Sequence, residues 1–401
     1  MKLGSLFDGI GGWPLAATKF GIEPVWCSEI EKFPQEITKR HFPNMKHLGD
    51  ITKIDGAKIE PVDIVTIGSP CQDLSIAGKR KGLAGERSGL FRTAIYIVRG
   101  MRNSTDGEYP RFVVWENVPG AFSSNKGNDF RAVLEEITQS SIPMPKSGRW
   151  AKAGMVRSSG CEVAWRVLDA QYWGVPQRRK RIFLVADFGG QRAGEILFKP
   201  ESVCRNTAEG SGERKRTAGS ITDSFGESVR CLTPWDVQSR RIFDSRGKWP
   251  AIYGGEGGGK GYVAIWDMTH ADEVMRPVKD GIVPTLNARM GTGGNQVPVV
   301  QEPVYSMGHD ERSASFTPNK TDPLTASDYK QPVIVNVGYK VRRLTPTECE
   351  RLQGLHDGYT LIDDKKCSDS ARYKALGNGM AQPCADFAVG RIAEVVMEGA
   401  I

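Results

Sequence analysis

A cysteine, a glutamate and a run of arginines in this 401-residue chain stand where short apolar strands begin or end. In an open α/β sheet those positions are where side chains meet a ligand. Cys71 follows the apolar run 62–67 (VDIVTI) and the turn Gly68-Ser69-Pro70. A thiol there is either a nucleophile or, as free cysteines commonly are, a small buried packing residue. Glu116 follows a second apolar run, Phe112 to Trp115, and opens Glu116-Asn117-Val118-Pro119-Gly120. If the strands are parallel, thiol and carboxyl group share one rim. Gln177-Arg178-Arg179-Lys180-Arg181 leads into the strand pattern 181–186 (RIFLVA). Four basic residues in five either grip a polyanion or decorate a surface turn.

The elements that must position these groups begin at the N-terminus. Residues 3–7 (LGSLF) read as a strand running into Asp8-Gly9-Ile10-Gly11-Gly12, with a helical pattern (Trp13, Leu15, Ala16, Phe20) behind it. Strand, glycine loop and helix together bring a cofactor against backbone N–H groups and a helix N-terminus. The glycine spacing is not G-x-G-x-x-G, and Asp8 would repel a pyrophosphate, so a positively charged cofactor suits the loop better than a dinucleotide. A second strand over 24–28 ends at Glu29, about 20 positions after the loop, where such folds hold ribose hydroxyls. Asp50, in Gly49-Asp50-Ile51, is a second acid near the same edge. Either acid could instead be a solvated surface group. The stretch 78–89 (GKRKGLAGERSG), basic and glycine-rich, suits a loop that closes over a bound polyanion, or a solvated connection. Helices are expected over 31–40, 90–98 and 130–137, and strands over 161–168 and 181–186.

Composition bounds what these elements can build. At 39% hydrophobic and 25% charged, the chain can form a normal core in two or three domains. It has no apolar run of the roughly 18 residues a membrane span needs, and its start lacks a signal-peptide pattern. A formal charge of +7 is compatible with a polyanionic partner without requiring one. Eight cysteines without a C-x-x-C point to a reducing, cytoplasmic compartment, and five histidines without i,i+4 pairing give no metal site. From about Gly189 to 339 the sequence turns rich in Gly, Ser, Thr and Arg with short β-like runs, which predicts a smaller domain of strands and loops. Its Arg240, Arg241, Arg246, Lys260 and Arg289 are candidates for reading base edges. Residues 141–160 are polar, rich in Gly, Ser and Lys, and carry no clear element. Near the C-terminus Thr345, Pro346 and Glu348 form a capping box that starts a helix, and Gly377-Asn378-Gly379 predicts a close backbone approach to something bound.

Taken together these segments resemble the cytosine-C5 DNA methyltransferase family. Phe7-Asp8-Gly9-Ile10-Gly11 is similar to its cofactor loop, Pro70-Cys71-Gln72 with Ser75 to its catalytic segment, and Glu116-Asn117-Val118 to its E-N-V. Gln177-Arg178-Arg179-x-Arg181 is similar to its Q-R-R-x-R, and Arg343-Leu-Thr-Pro, Arg351-Leu-Gln-Gly354 and Gly377-Asn378 to its last segments. The resemblance covers 3–188 and 340–396. It implies a Rossmann-like class I methyltransferase domain of α/β type with a mostly parallel sheet (1–188), a target-recognition domain (189–339) and a C-terminal segment (340–401) that completes the first domain.

The resemblance further implies S-adenosylmethionine as cofactor, with Phe7, Asp8, Gly9 and Gly11 lining its pocket. Glu29 would take the ribose, Asp50 the adenine amino group, Pro70 would form the floor and Asn378 would close the site. The substrate implied is double-stranded DNA, acted on by a monomer, with any restriction endonuclease a separate chain. Cys71 would add to C6 of a flipped-out cytosine, Glu116 would offset charge on the ring, and Arg179 and Arg181 would hold O2 and a neighbouring phosphate, Arg181 being the one nearer the base. An RNA-modifying branch of the family and a non-catalytic DNA-binding descendant are the alternatives. The large 189–339 region argues against the first, and the presence of both Cys71 and Glu116 against the second.

Overall fold

A computed structural model of the protein describes residues 1–69, 89–198, 265–267, 276–277, 283, 285–286, 298–308, 334–362 and 367–398. Within them the chain forms β1 (Lys2–Leu6), α1 (Gly12–Lys19), β2 (Glu23–Ser28), α2 (Lys32–His41), β3 (Lys46–His47) and β4 (Ile64–Ile67). There follow α3 (Leu90–Ser104), β5 (Phe112–Asn117), α4 (Asn128–Thr138), β6 (Ala153–Arg157), β7 (Glu162–Asp169), β8 (Lys180–Asp187) and α5 (Ala193–Phe198). Four further strands are β9 (Ile265–Asp267), β10 (Arg276–Pro277), β11 (Val299–Gly308) and β12 (Ile334–Arg343). The C-terminal helices are α6 (Pro346–Leu352), α7 (Asp369–Asn378) and α8 (Gln382–Glu398).

The main sheet has the order β3-β2-β1-β4-β5-β8-β7-β6. Its first five strands are parallel, and β8, β7 and β6 continue it as an antiparallel wing. The alternation along β5 shows how the layers arise, since successive strand residues face opposite sides. Val113 and Trp115 enter a core shared with Phe91, Ile95 and Val98 of α3 and Phe130, Val133 and Leu134 of α4. Phe112 and Val114 enter the other, with Trp13 and Ala16 of α1, Ile196 of α5, and Ala385, Val389 and Ile392 of α8. Strands buried on both faces read as continuous apolar runs, which is why β4 and β5 were legible in sequence.

Three features were not read from the sequence. The sheet's far half is antiparallel, so β8 begins on the rim where β5 ends, with Asn117 opposite Ile182. Helix α5 packs in the second core, so the catalytic layers continue past residue 188. Val283 and Leu286, within the region read as a separate domain, are buried with Ile10, Leu344, Leu352 and Leu376. Val283 bridges Gln177, accepts from the Arg178 N–H at 2.9 Å and donates to the Pro176 carbonyl at 2.8 Å. A second, antiparallel sheet, β10-β9-β11-β12, is the described part of the strand-and-loop unit.

Candidate active site

A cavity of about 480 Å³ opens at the carboxyl ends of the parallel strands. One wall comes from the loops after β1 and β2. Phe7 takes a left-handed backbone (φ 57°), and Gly9 donates its N–H to Glu29 Oε2 at 2.9 Å. The N–H groups of Ile30 and Glu31 both reach Glu29 Oε1 at 2.8 Å. Three backbone donors thus fix this carboxylate, and Oε2, which takes only one of them, keeps capacity to accept from a ligand. A Cβ on Gly9 would meet nothing within 4 Å, so the space beside it is open to the cavity. Asp50 caps the turn Ile51–Lys53, accepting from Thr52 N at 2.9 Å and Thr52 Oγ1 at 2.8 Å. Those bonds hold its carboxyl below the usual carboxylate range, hence ionised at neutral pH.

The opposite end holds the other charged groups. Glu116 Oε1 lies 3.1 Å from Arg181 Nε, with the two side chains 14% and 16% exposed. Beside them β4 runs out through Gly68 to Ser69, the last described residue before Pro70 and Cys71, which lie outside the described residues together with the 78–88 stretch. Ser69 is held from two sides: Trp115 Nε1 donates to its hydroxyl at 3.1 Å and Asn117 Nδ2 to its carbonyl at 3.1 Å. The chain therefore leads towards Pro70 and Cys71 from an anchored point on the rim that carries Glu116. Ala375, Gly377 and Asn378 of α7 close the remaining side.

Two expected lining residues turn away from the cavity. Asp8 is 4% exposed beneath the loop, and neither carboxyl oxygen has a hydrogen-bond partner among the described residues. Burial, with the Glu29 charge adding to it, raises its pKa to about 7, against only partial relief from Ser5 and Cys27. Its charge therefore does not face a ligand, and the sequence argument that set Asp8 against a pyrophosphate does not hold. Gly11 caps α1 with φ 82°, and a Cβ there would stand 2.9 Å from Phe42 and 3.0 Å from Thr38. It is required for packing, not for lining.

Arg179 is also differently employed. Its guanidinium donates to the carbonyls of Leu286 at 2.8 Å, Gly377 at 3.2 Å and Gly379. Burial, then the nearby Arg181 charge, press its pKa well down. It reaches the cavity wall as a clasp between the 283–286 strip and the end of α7, which leaves Arg181 as the arginine beside Glu116. Sequence reasoning missed this clasp, the Ser69 anchor, and the ion pair in which Lys374 Nζ meets Oε2 of the cavity-lining Glu31 at 2.7 Å. Only Asn117 carried a signal, as the middle of E-N-V. Arg240, Arg241, Arg246, Lys260 and Arg289 lie outside the described residues, and no group of three metal-binding side chains occurs among the described ones.

The family model for C-5 cytosine-specific DNA methylase matches residues 1–141 and 152–394. The chain belongs to that family. Among similar proteins, an Escherichia phage P1 protein named DNA N-6-adenine-methyltransferase is 28% identical over 487 aligned positions, covering 98% of this chain and 61% of that protein. The type II methyltransferase M.Bsp6I of Bacillus sp. strain RFL6 is 24% identical with 98% of each chain covered. The chain thus spans less than two thirds of the phage relative and almost the whole of the Bacillus one. Among solved structures, Schizosaccharomyces pombe Dnmt2 methyltransferase superposes with a TM-score of 0.56 at 16% identity over 100% of both chains. The Entamoeba histolytica methyltransferase EhMeth gives 0.51 at 12% identity, covering 99% of this chain and 98% of that one. Both likenesses concern the fold. Mostly parallel sheet, flanking helices and rim-side cavity are the methyltransferase architecture the sequence predicted.

Proposed function

We propose that this protein transfers a methyl group from S-adenosylmethionine to C5 of a flipped-out cytosine within a specific double-stranded DNA sequence, through a covalent bond between Cys71 and C6. One observation supports this reading above the rest. A single cavity has a pair of fixed carboxylates at one end and the Glu116–Arg181 pair at the other, beside the anchored Ser69 that precedes Pro70 and Cys71.

The residues fit the cofactor. The volume falls in the usual range of roughly 300–1,000 Å³ for such ligands, Gly9 leaves room for close approach, and Glu29 and Asp50 supply acceptors for ribose hydroxyls and an adenine amino group. Phe7 and Asn378 would line and close the pocket. When bound, the cofactor supplies a methyl made electrophilic by its sulfonium.

C5 of cytosine is a poor nucleophile while the ring stays aromatic. Addition of the Cys71 thiolate at C6 would localise electron density on C5. A free thiol near pKa 8.5 is only a few per cent thiolate at neutral pH, so the basic residues following Cys71 in the chain would serve to raise that fraction. Glu116 would share a proton with N3 as negative charge builds on the ring. Arg181, oriented by its contact with Glu116, would offer its remaining N–H donors to O2. Loss of the C5 proton and departure of Cys71 then restore the ring. The target atom lies inside a stacked duplex, so the base must leave it, at a cost of a few kcal/mol that phosphate contacts offset. One chain holds cofactor, catalytic and recognition parts, so a monomer in the cytoplasm of a prokaryotic or phage-infected cell suffices, with any restriction endonuclease a separate protein.

Bisulfite sequencing of plasmid DNA treated with the protein and S-adenosylmethionine tests this. Protected cytosines in one fixed context, absent with Cys71→Ser, are expected. Transfer only to a structured RNA would move the substrate to the RNA branch. Tight DNA binding without transfer to either would leave a binding protein.

A further inference from the structure

Residues 142–151 fall outside the segments that match the family, yet they are built firmly into the molecule. Trp150 packs edge-on against Phe130 (5.2 Å between ring centres) and Trp165 (5.9 Å), and its Nε1 donates to the Gly127 carbonyl at 2.8 Å. Gly127 has φ 86°, and a Cβ there would stand 3.0 Å from both Met144 and Trp150. The segment is therefore seated on the loop between β5 and α4 at a position only glycine allows.

Its charge is one-sided. From Gln139 to Cys161 the chain has no Asp or Glu, but it has Lys146, Arg149, Lys152 and Arg157. Arg157 is paired with Glu162 at 2.5 Å. Lys146, Arg149 and Lys152 are exposed, and none pairs with a described carboxylate.

Topology decides where this charge lies. β8 begins on the rim that carries Glu116, and Lys180 at its start is opposite Asp169 at the end of β7. β6 runs antiparallel to β7, with Ala153 opposite Arg166, and Val167 N–H donates to the Lys152 carbonyl at 2.8 Å. Lys152 and the segment before it thus enter β6 at its rim end. Three strand spacings separate β6 from β5, about 15 Å at about 4.8 Å each. Along a duplex that is roughly four base pairs at 3.4 Å each.

We propose that residues 142–152 are a second, sequence-independent DNA contact, in which Lys146, Arg149 and Lys152 hold the phosphate backbone roughly four base pairs from the flipped cytosine, outside the recognition region. This rests on the DNA reading above. Phosphate contacts position a protein without specifying sequence, so the segment would set affinity and not context.

The test compares wild type with K146Q/R149Q/K152Q and, as a charge control, with K2Q/K19Q at the opposite rim, where β1 begins and α1 ends. Each is titrated with a mixed-sequence duplex over a series of salt concentrations. For the triple variant the slope of log affinity against log salt should be shallower by roughly 2–3, since each phosphate no longer neutralised takes away about 0.9. Its cofactor affinity and bisulfite context should match wild type, and the control should keep the wild-type slope. A wild-type slope in the triple variant, or an equal change in the control, would overturn the proposal and leave the methylation reading standing. Absence of duplex binding by wild type would overturn both.

Discussion

Glu116 and Arg181 meet at 3.1 Å with most of both side chains withdrawn from water, so neither charge can be removed without exposing the other's need for it. Glu116→Gln is expected to lower single-turnover methyl transfer by about 10²- to 10⁴-fold, the range of a lost proton-transfer group, with cofactor affinity within about twofold of wild type. Rapid-quench kinetics beside calorimetry separates the two, and an unchanged rate would remove Glu116 from the chemistry. Asp8 makes a different prediction. Its folded pKa, raised to about 7, lies above that of an unfolded aspartate near 4. Between those values the native state holds a proton that the unfolded state has released, so stability falls as pH rises from about 4 to 7 and levels off above. Asp8→Asn should abolish that decline and gain on wild type at pH 7, as read from denaturant unfolding across pH; a wild-type profile flat from pH 4 to 7 would contradict it. Residue identity alone named Asp8 as a ligand-facing acid. The direction a side chain takes from a left-handed loop is not encoded in its type.

Two elements beside the cavity are joined by an exposed ion pair, which is a weak link. Lys374 of α7 and Glu31, the residue before α2 and part of the cavity lining, pair at 2.7 Å with about two fifths of each side chain exposed. Such pairs contribute about 0.2–1 kcal/mol and weaken in salt. Lys374→Ala should speed cofactor dissociation by up to about fivefold and remove most of its salt dependence in stopped-flow displacement at low and high salt. Equal rates for variant and wild type would show that the pair does not gate the site. Elements defined by local chemistry were legible here. The capping box of α6 forms as read, with Thr345 Oγ1 accepting from Glu348 N and Glu348 bonding back to Thr345 N at 2.6 Å. β6 was not legible, because Ala153-Gly-Met-Val-Arg157 has no buried face of its own and becomes a strand only by pairing with β7.

At the scale of the whole molecule, the C-terminal helix α8 packs into the core of the main sheet. α8 supplies Ala385, Ala388, Val389 and Ile392 to the core that holds Trp13 and Phe183. Gln382 donates to the Gly12 carbonyl at 2.9 Å, and Tyr359 to that of Ile10 at 2.8 Å. A chain ending at residue 339 should be insoluble or lack fixed near-ultraviolet circular dichroism, and co-expression of 340–401 as a separate piece should restore a soluble pair. A soluble, well-packed truncated chain would refute that dependence. The sequence by itself determined the parallel strands, the glycine loop, Glu29 and Glu116 at strand ends, the α6 cap and the family, because apolar periodicity, turn chemistry and motif spacing act over a few residues. Tertiary structure alone decided the antiparallel wing, the burial of Asp8, the entry of Val283 and Leu286 into the core and the work of Arg179. The physical reason is clearest in Arg179. The end of a helix leaves carbonyls without intrahelical donors, and those of Gly377 and Gly379 at the end of α7 take a guanidinium almost two hundred residues earlier in the chain. Which donor meets which orphaned acceptor depends on how distant elements pack.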